Sequence, residues 1–146
     1  MIREFKENDL NKIMKLWLHT NIIAHDFIDI GYWKSMNDKV KQMMPEAIIF
    51  VYEEDNLIKG FVGLSGNYIA GIFVETTYQS QGVGKALLDY IKERNTELLL
   101  QVYEKNNRAV TFYLREGFTI HNKQIDENTN ETELVMNWNA DAKKRC

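Results

Sequence analysis

Cysteine, proline, long apolar runs and excess positive charge are scarce or missing in this chain of 146 residues. A disulfide within the chain needs two cysteines, and only Cys146, in a polar terminal stretch, is present; that usage fits a reducing compartment. The one proline, Pro45, marks the end of a predicted helix rather than a proline-rich linker. No apolar run approaches the roughly 18 residues of a membrane-spanning helix. Arg3, Glu4, Lys6 and Glu7 interrupt the N-terminus where a secretion signal would carry its apolar segment. The net charge of −3 gives no basic footprint for nucleic acid. The expectation is a cytoplasmic domain with neither a membrane nor a nucleic-acid partner.

What is present is enough for a core. Hydrophobic residues make up 45% and charged residues 27% of the chain, the balance of one compact domain. Residues 1–139 are expected to form it, with 140–146 as a polar, mobile tail. Asp26, Asp29, Glu46, Glu53, Glu54 and Asp55 would suit a cationic substrate, although a solvated acidic surface is the plainer reading.

The patterning predicts a strand at the N-terminus and then a helix capped by Asn8 or Asp9. Its apolar face is Leu10, Ile13, Met14, Leu16, Trp17 and Leu18, and it ends near His19 to Asn21. A second helix runs from Tyr32 to Met43. Strands follow at Ala47 to Tyr52 and Leu57 to Ser65 around a polar turn, Glu53 to Asn56, and then at Ile69 to Val74. A third helix carries Val83, Ala86, Leu87, Tyr90 and Ile91 at i, i+3, i+4, i+7, i+8 spacing. Glu97 to Tyr103 is a strand. A short helix capped by Asn106 or Asn107 then holds Phe112 as its core residue, and Gly117 stops it in the left-handed conformation. Phe118 to Ile125 and Thr132 to Trp138 close the chain as an antiparallel pair. The order β-α-α-β-β-β-α-β-α-β-β indicates an α/β (α+β) fold, a mixed sheet with helices on both faces.

Between the central strand and the third helix lies Gln79-Ser80-Gln81-Gly82-Val83-Gly84-Lys85. A glycine turn at a helix start leaves backbone N–H groups free and adds the positive end of the peptide dipoles, which suits a phosphate. A P-loop reading fails, because Gln79 stands where the first glycine belongs and Ala86 where magnesium needs a hydroxyl. A dinucleotide fingerprint would need a small residue at Leu87.

The pattern that remains, Gln79-x-x-Gly82-x-Gly84, resembles the Q/R-x-x-G-x-G/A motif of the GNAT N-acetyltransferase superfamily. A second segment, Asn106-x-x-Ala109-x-x-Phe112-Tyr113-x-x-x-Gly117-Phe118, resembles the N-x-x-A-x-x-F-Y-x-x-x-G-F signature of the same superfamily. Met1 to Glu4, Leu16 to Leu18, His25-x-Phe27-Ile28 and Tyr32-Trp33 are similar to the bacterial YiaC/YjaB-like acetyltransferases, so the likeness spans Met1 to about Trp138.

This resemblance implies a mostly antiparallel, twisted sheet of about seven strands that splays between the fourth and fifth. It implies acetyl-CoA as co-substrate, no metal, and transfer to a primary amine of a protein lysine or N-terminus. Phe73 and Val74 would offer backbone groups to the pantetheine arm. Gln79, Ser80, Gln81, Gly82, Val83, Gly84 and Lys85 would cradle the pyrophosphate, and Asn106 would bond the cofactor. Tyr113 would be the general acid that protonates the departing thiolate. Where some members carry a glutamate base stands Gln101, which leaves His25 as the candidate base, or a water relay to Glu75. Trp17, His25, Phe27, Ile28, Tyr32 and Trp33 would line the acceptor side, although Trp17 and Trp33 also fit a core. A small cationic acceptor such as a polyamine or amino sugar, a longer acyl-CoA, and a CoA-binding sensor without catalysis are the competing functions. Monomer and homodimer are both compatible with the sequence.

Overall fold

The computed structural model describes residues 1–140, and the part of the expected mobile tail at 141–146 lies outside the described residues. Seven strands form one sheet in the order β1-β2-β3-β4-β5-β7-β6. They are β1 (Ile2–Glu4), β2 (Ile48–Glu54), β3 (Leu57–Ser65), β4 (Tyr68–Val74), β5 (Glu97–Tyr103), β6 (Thr119–Asp126) and β7 (Glu131–Asn139). Every pairing is antiparallel except β4 with β5. The helices are α1 (Leu10–Ala24), α2 (Ile30–Met43), α3 (Val83–Lys92) and α4 (Asn107–Arg115).

Strand alternation divides the core into two layers. On one face, Ile49, Val51 and Phe61 meet Ile13, Leu16, Trp17 and Trp33 of α1 and α2. On the other, Val62, Leu64, Leu98, Leu100, Val102 and Met136 meet Leu87, Leu88 and Ile91 of α3 and Tyr113 of α4. Each helix therefore buries one apolar stripe, as its spacing predicts.

Two local expectations are corrected. α1 runs past His19–Asn21 to Ala24. Thr20 Oγ1 donates to the Leu16 carbonyl at 2.7 Å and Asn21 Nδ2 to the Trp17 carbonyl at 2.9 Å. Both residues are buried, so their polar groups are satisfied inside the helix instead of ending it. The hairpin between β2 and β3 is tighter than four residues: Asp55 and Asn56 alone turn it, at φ of 55° and 63°. Asparagine and aspartate tolerate that left-handed geometry.

The splay is the feature that makes a site. β4 and β5 pair only at Tyr68↔Leu99 and Ile69↔Leu100. On its other edge β4 pairs with β3 at Leu64↔Ile69 and then at Gly63↔Gly71, leaving Ala70 as a bulge. A bulge kinks its strand and sharpens the twist, and this one falls where β4 leaves β5. A cleft opens beyond it in the middle of the sheet.

Candidate active site

The large cavity in this cleft has a volume of about 1090 Å³. Phe73, Val74, Gln79, Ser80, Gly82, Gly84, Lys85 and Asn106, all cofactor candidates from the sequence, wall it. Gln79 Nε2 donates to the Val74 carbonyl at 2.9 Å and ties the turn to the end of β4. Gly82 is the N-cap of α3 at φ 88°, with no side-chain cap, and the first helical bond runs from Ala86 N–H to the Gly82 carbonyl. The N–H groups of Val83, Gly84 and Lys85 thus precede the helical ladder, at the positive end of its dipole.

Two residues expected at the cradle do not present side chains to it. Val83 is buried in the core and brings only its backbone. Gln81 is exposed and bonds the Thr77 carbonyl at 3.2 Å. Lys85 Nζ is engaged by Glu116 at 3.0 Å and Asp89 at 3.4 Å. Sequence reasoning missed Arg108, whose guanidinium donates to Ser80 Oγ at 2.8 Å, together with Lys105 and Arg115 on the same cavity. The signal was available: on a helix that starts near Asn106, Arg108 and Arg115 sit two turns apart on one side.

A second cavity of about 230 Å³ opens on the far side of the splay. Trp17, His25 and Trp33 wall it, and Phe27, Ile28, Tyr32 and Glu75 do not. The tryptophans are both core and wall: they are buried, with rings 6.0 Å apart and nearly perpendicular. Tyr32 packs behind Trp33 at 5.0 Å and Phe27 behind His25 at 5.7 Å. Sequence reasoning did not single out Tyr68, Tyr103 or Glu133, which complete this wall with Gln101.

Tyr113 walls both cavities. Contrary to the sequence-based expectation for the Phe112–Tyr113 pair, the tyrosine is the buried member and Phe112 the partly exposed one. Its ring packs edge-on against Phe112 and Phe118 at 5.2 and 5.4 Å. Burial, and then Tyr68, push its phenol well above the usual value, so it stays protonated at neutral pH.

Asn106, not Asn107, caps α4: its Oδ1 accepts from Ala109 N–H at 3.3 Å. That turns its amide nitrogen toward His25 Nε2, 3.2 Å away. Nε2 is then an acceptor and Nδ1 carries the proton, with no partner among the described residues. His25 stacks on Trp33 at 5.1 Å, and burial pulls its pKa down to about 4, against a smaller opposing effect of the Asn21 backbone.

This has a consequence for stability. The unfolded imidazole takes up its proton near pH 6.5 and the folded one only near pH 4, so stability is lost as pH falls through that window. His25→Gln should remove up to about 3 kcal/mol of that acid sensitivity. Urea unfolding of both proteins at pH 7 and pH 4.5 measures it, and parallel losses would exclude the histidine.

Among the described residues no helix is long and apolar enough to cross a membrane, and no group of three or more His, Cys, Asp or Glu side chains could hold a metal ion.

A family model described as an acetyltransferase (GNAT) domain matches residues 45–120. The chain belongs to the GNAT acetyltransferase family. Over 140 residues it is 35% identical to the peptidyl-lysine N-acetyltransferase YiaC of Escherichia coli K12, covering 94% of this chain and 96% of YiaC. The solution structure of apo YjaB from Escherichia coli has the same fold at a TM-score of 0.84, with 26% identity over 94% of this chain and 96% of that one. An aminoglycoside 6'-N-acetyltransferase solved with coenzyme A shares the fold alone, at a TM-score of 0.71 and 16% identity over 96% of this chain and 97% of that one. In this acetyltransferase the open sheet, the glycine turn and the α4 tyrosine converge on a pair of cavities that share a wall.

Proposed function

We propose that residues 1–139 form one catalytic domain that transfers the acetyl group of acetyl-CoA directly to a primary amine of a protein lysine or N-terminus. The observation that carries this reading is that the two cavities share a wall that includes one buried phenol, Tyr113. The diphosphate would sit on the N–H groups of Val83, Gly84 and Lys85, with Arg108 and Ser80 beside it. The pantetheine arm would follow the free edge of β4 at Phe73 and Val74, and Asn106 would bond it from α4. The amine would enter from the small cavity between Trp17, Trp33 and His25.

The reaction follows from that placement. The amine nitrogen attacks the thioester carbon, the C–S bond breaks, the thiolate takes the proton of Tyr113, and the proton shed by the new amide nitrogen passes through solvent to restore the phenol. Positioning contributes most, about 7 kcal/mol or more; the acid adds about 3–5 kcal/mol. A lysine amine is only about 0.1% neutral at pH 7.4, a cost of roughly 4 kcal/mol that a base would offset. To act as that base His25 must first give up its bond from Asn106, and a group pulled to about 4 holds a proton weakly at pH 7. Its geometry favours tethering Asn106 and walling the acceptor.

The homologues YiaC and YjaB, both peptidyl-lysine N-acetyltransferases by name, support the peptide acceptor. The test is CoA release from acetyl-CoA with lysine peptides, N-terminal peptides, spermidine and an aminoglycoside. The peptides should turn over fastest; a preference for the small amines would move the assignment to them. Tight CoA binding without turnover on any amine would leave a binding module.

Gly84 offers an independent check on the cradle. An added Cβ would meet Phe112 and Val74 only at 3.6–3.7 Å, ordinary contact. Gly84→Ala should therefore raise stability by about 0.5–1 kcal/mol through helix propensity and leave coenzyme A affinity within about threefold, because the motif that Gln79 to Gly84 resembles accepts alanine at this position. Thermal melting and calorimetry read the two separately, and a large loss of affinity would show that the turn of this chain does not accept the alanine its motif allows.

A further inference from the structure

The two cavities that share Tyr113 in their walls carry opposite charge. Lys85, Lys105, Arg108 and Arg115 wall the large one against a single carboxylate, Glu116. The small one is walled by the carboxylate of Glu133 and, among the described residues, by no lysine or arginine. Its histidine is neutral at pH 7. A polyanionic cofactor suits the first cavity, and a cation suits the second.

Glu133 lies on β7 opposite Tyr103 of β5. One of its oxygens accepts from Gln124 Nε2 at 2.9 Å. Three other acidic residues at this end of the sheet are engaged: Glu104 with Lys123 at 2.7 Å, Glu131 with Lys105 at 3.0 Å, and Asp126 with the Tyr103 hydroxyl at 2.6 Å. Among the described residues, Glu133 has no basic side chain in ion-pairing range. Its charge is felt within the pocket, where burial and then Glu133 raise the Tyr68 phenol above its usual value. The surrounding walls include the aromatic rings of Trp17, Trp33, Tyr68 and Tyr103, which accept an alkyl chain. At about 230 Å³ the space is the size of one side chain, below the range of sites for larger ligands.

We propose that Glu133 receives the ammonium group of the acceptor, so that the small cavity selects a cationic primary amine carried on a slender alkyl chain. This rests on the acetyl transfer proposed above and adds the residue that sets acceptor specificity.

The test is steady-state kinetics of wild type, Glu133→Gln and Glu133→Asp at saturating acetyl-CoA and pH 7. One acceptor is a lysine peptide; the other is the same peptide bearing an aminooxy group, which is uncharged at that pH. A charged hydrogen bond is worth enough that Glu133→Gln should raise KM for the lysine peptide about tenfold or more. kcat should stay within about threefold, and KM for the aminooxy peptide within about twofold. Glu133→Asp, which keeps the charge, should fall between wild type and Glu133→Gln. Coenzyme A affinity by calorimetry reports on folding, because Glu133 lies outside the large cavity. An unchanged KM for the lysine peptide, or equal losses on both peptides, would overturn the role of Glu133. A wild-type protein that acetylates neither peptide would instead overturn the acetyl transfer on which it rests.

Discussion

Tyr113→Phe is expected to lower kcat by about 100- to 1,000-fold while leaving the Kd for coenzyme A within about twofold. The substitution removes one hydroxyl and keeps the ring. That ring packs against Phe112 and Phe118 and belongs to the core cluster of the α3 face, so the fold and the walls of both cavities should persist. What goes is the proton for the departing thiolate. The thiolate of coenzyme A is strongly basic beside water at neutral pH, so an unassisted departure would leave the barrier higher by about 3–4 kcal/mol. The wild-type pH profile carries a second signature. Burial holds the phenol above its usual value near 10, so no loss of kcat attributable to Tyr113 should appear below that pH. The decisive comparison is single-turnover acetyl transfer by wild type and variant, with calorimetry alongside. Equal single-turnover rates would take Tyr113 out of the chemistry.

How much of this was legible in the sequence depends on how far each feature reaches along the chain. The α3 helix and its turn were legible, because the apolar spacing from Val83 to Ile91 and the glycines at 82 and 84 lie within a few residues of one another. The element order was legible for the same reason, and the family resemblance added the splay. The bulge at Ala70 that produces the splay is not visible locally, since it depends on the register between β3 and β4. Helix α4 shows the limit of periodicity. Phe112 and Tyr113 are adjacent, and hydrophobicity favours Phe112 as the buried one, yet the phenol points to the junction of β4, β5 and α4 and is the more enclosed. The α1 terminus was misplaced because Thr20 and Asn21 look like helix breakers until their bonds to Leu16 and Trp17 are seen. Glu133 was missed for a topological reason. Tyr68, Gln101 and Glu133 are far apart in sequence and adjacent only because β5 pairs with β7 and parts from β4. Strand parity would have placed Glu133 opposite the face of Leu134 and Met136, but not in a cavity.

Gly82→Val is expected to weaken coenzyme A binding about 100- to 10,000-fold while the protein still folds. Gly82 sits at φ 88°, and an added Cβ would meet nothing within 4 Å. The obstacle is therefore the backbone conformation and not a collision. A β-branched residue held there costs about 1–3 kcal/mol, within the stability of an ordinary domain. The turn can relieve that strain only by rotating φ toward negative values. Doing so swings the N–H groups of Val83, Gly84 and Lys85 out of the direction in which the diphosphate would lie. Two charged hydrogen bonds lost at about 1.5–3 kcal/mol each give the expected range. Gly66 supplies the control. It is also left-handed, at φ 61°, also free of neighbours around its Cβ, and it turns β3 into β4 away from both cavities. Gly66→Val should cost similar stability in a urea melt and leave the calorimetric Kd within about threefold of wild type. Two variants with matched strain and unmatched affinity would assign the loss to the helix entrance itself. Matched losses of affinity would show that general destabilisation, and not the cradle at Gly82, weakens the binding.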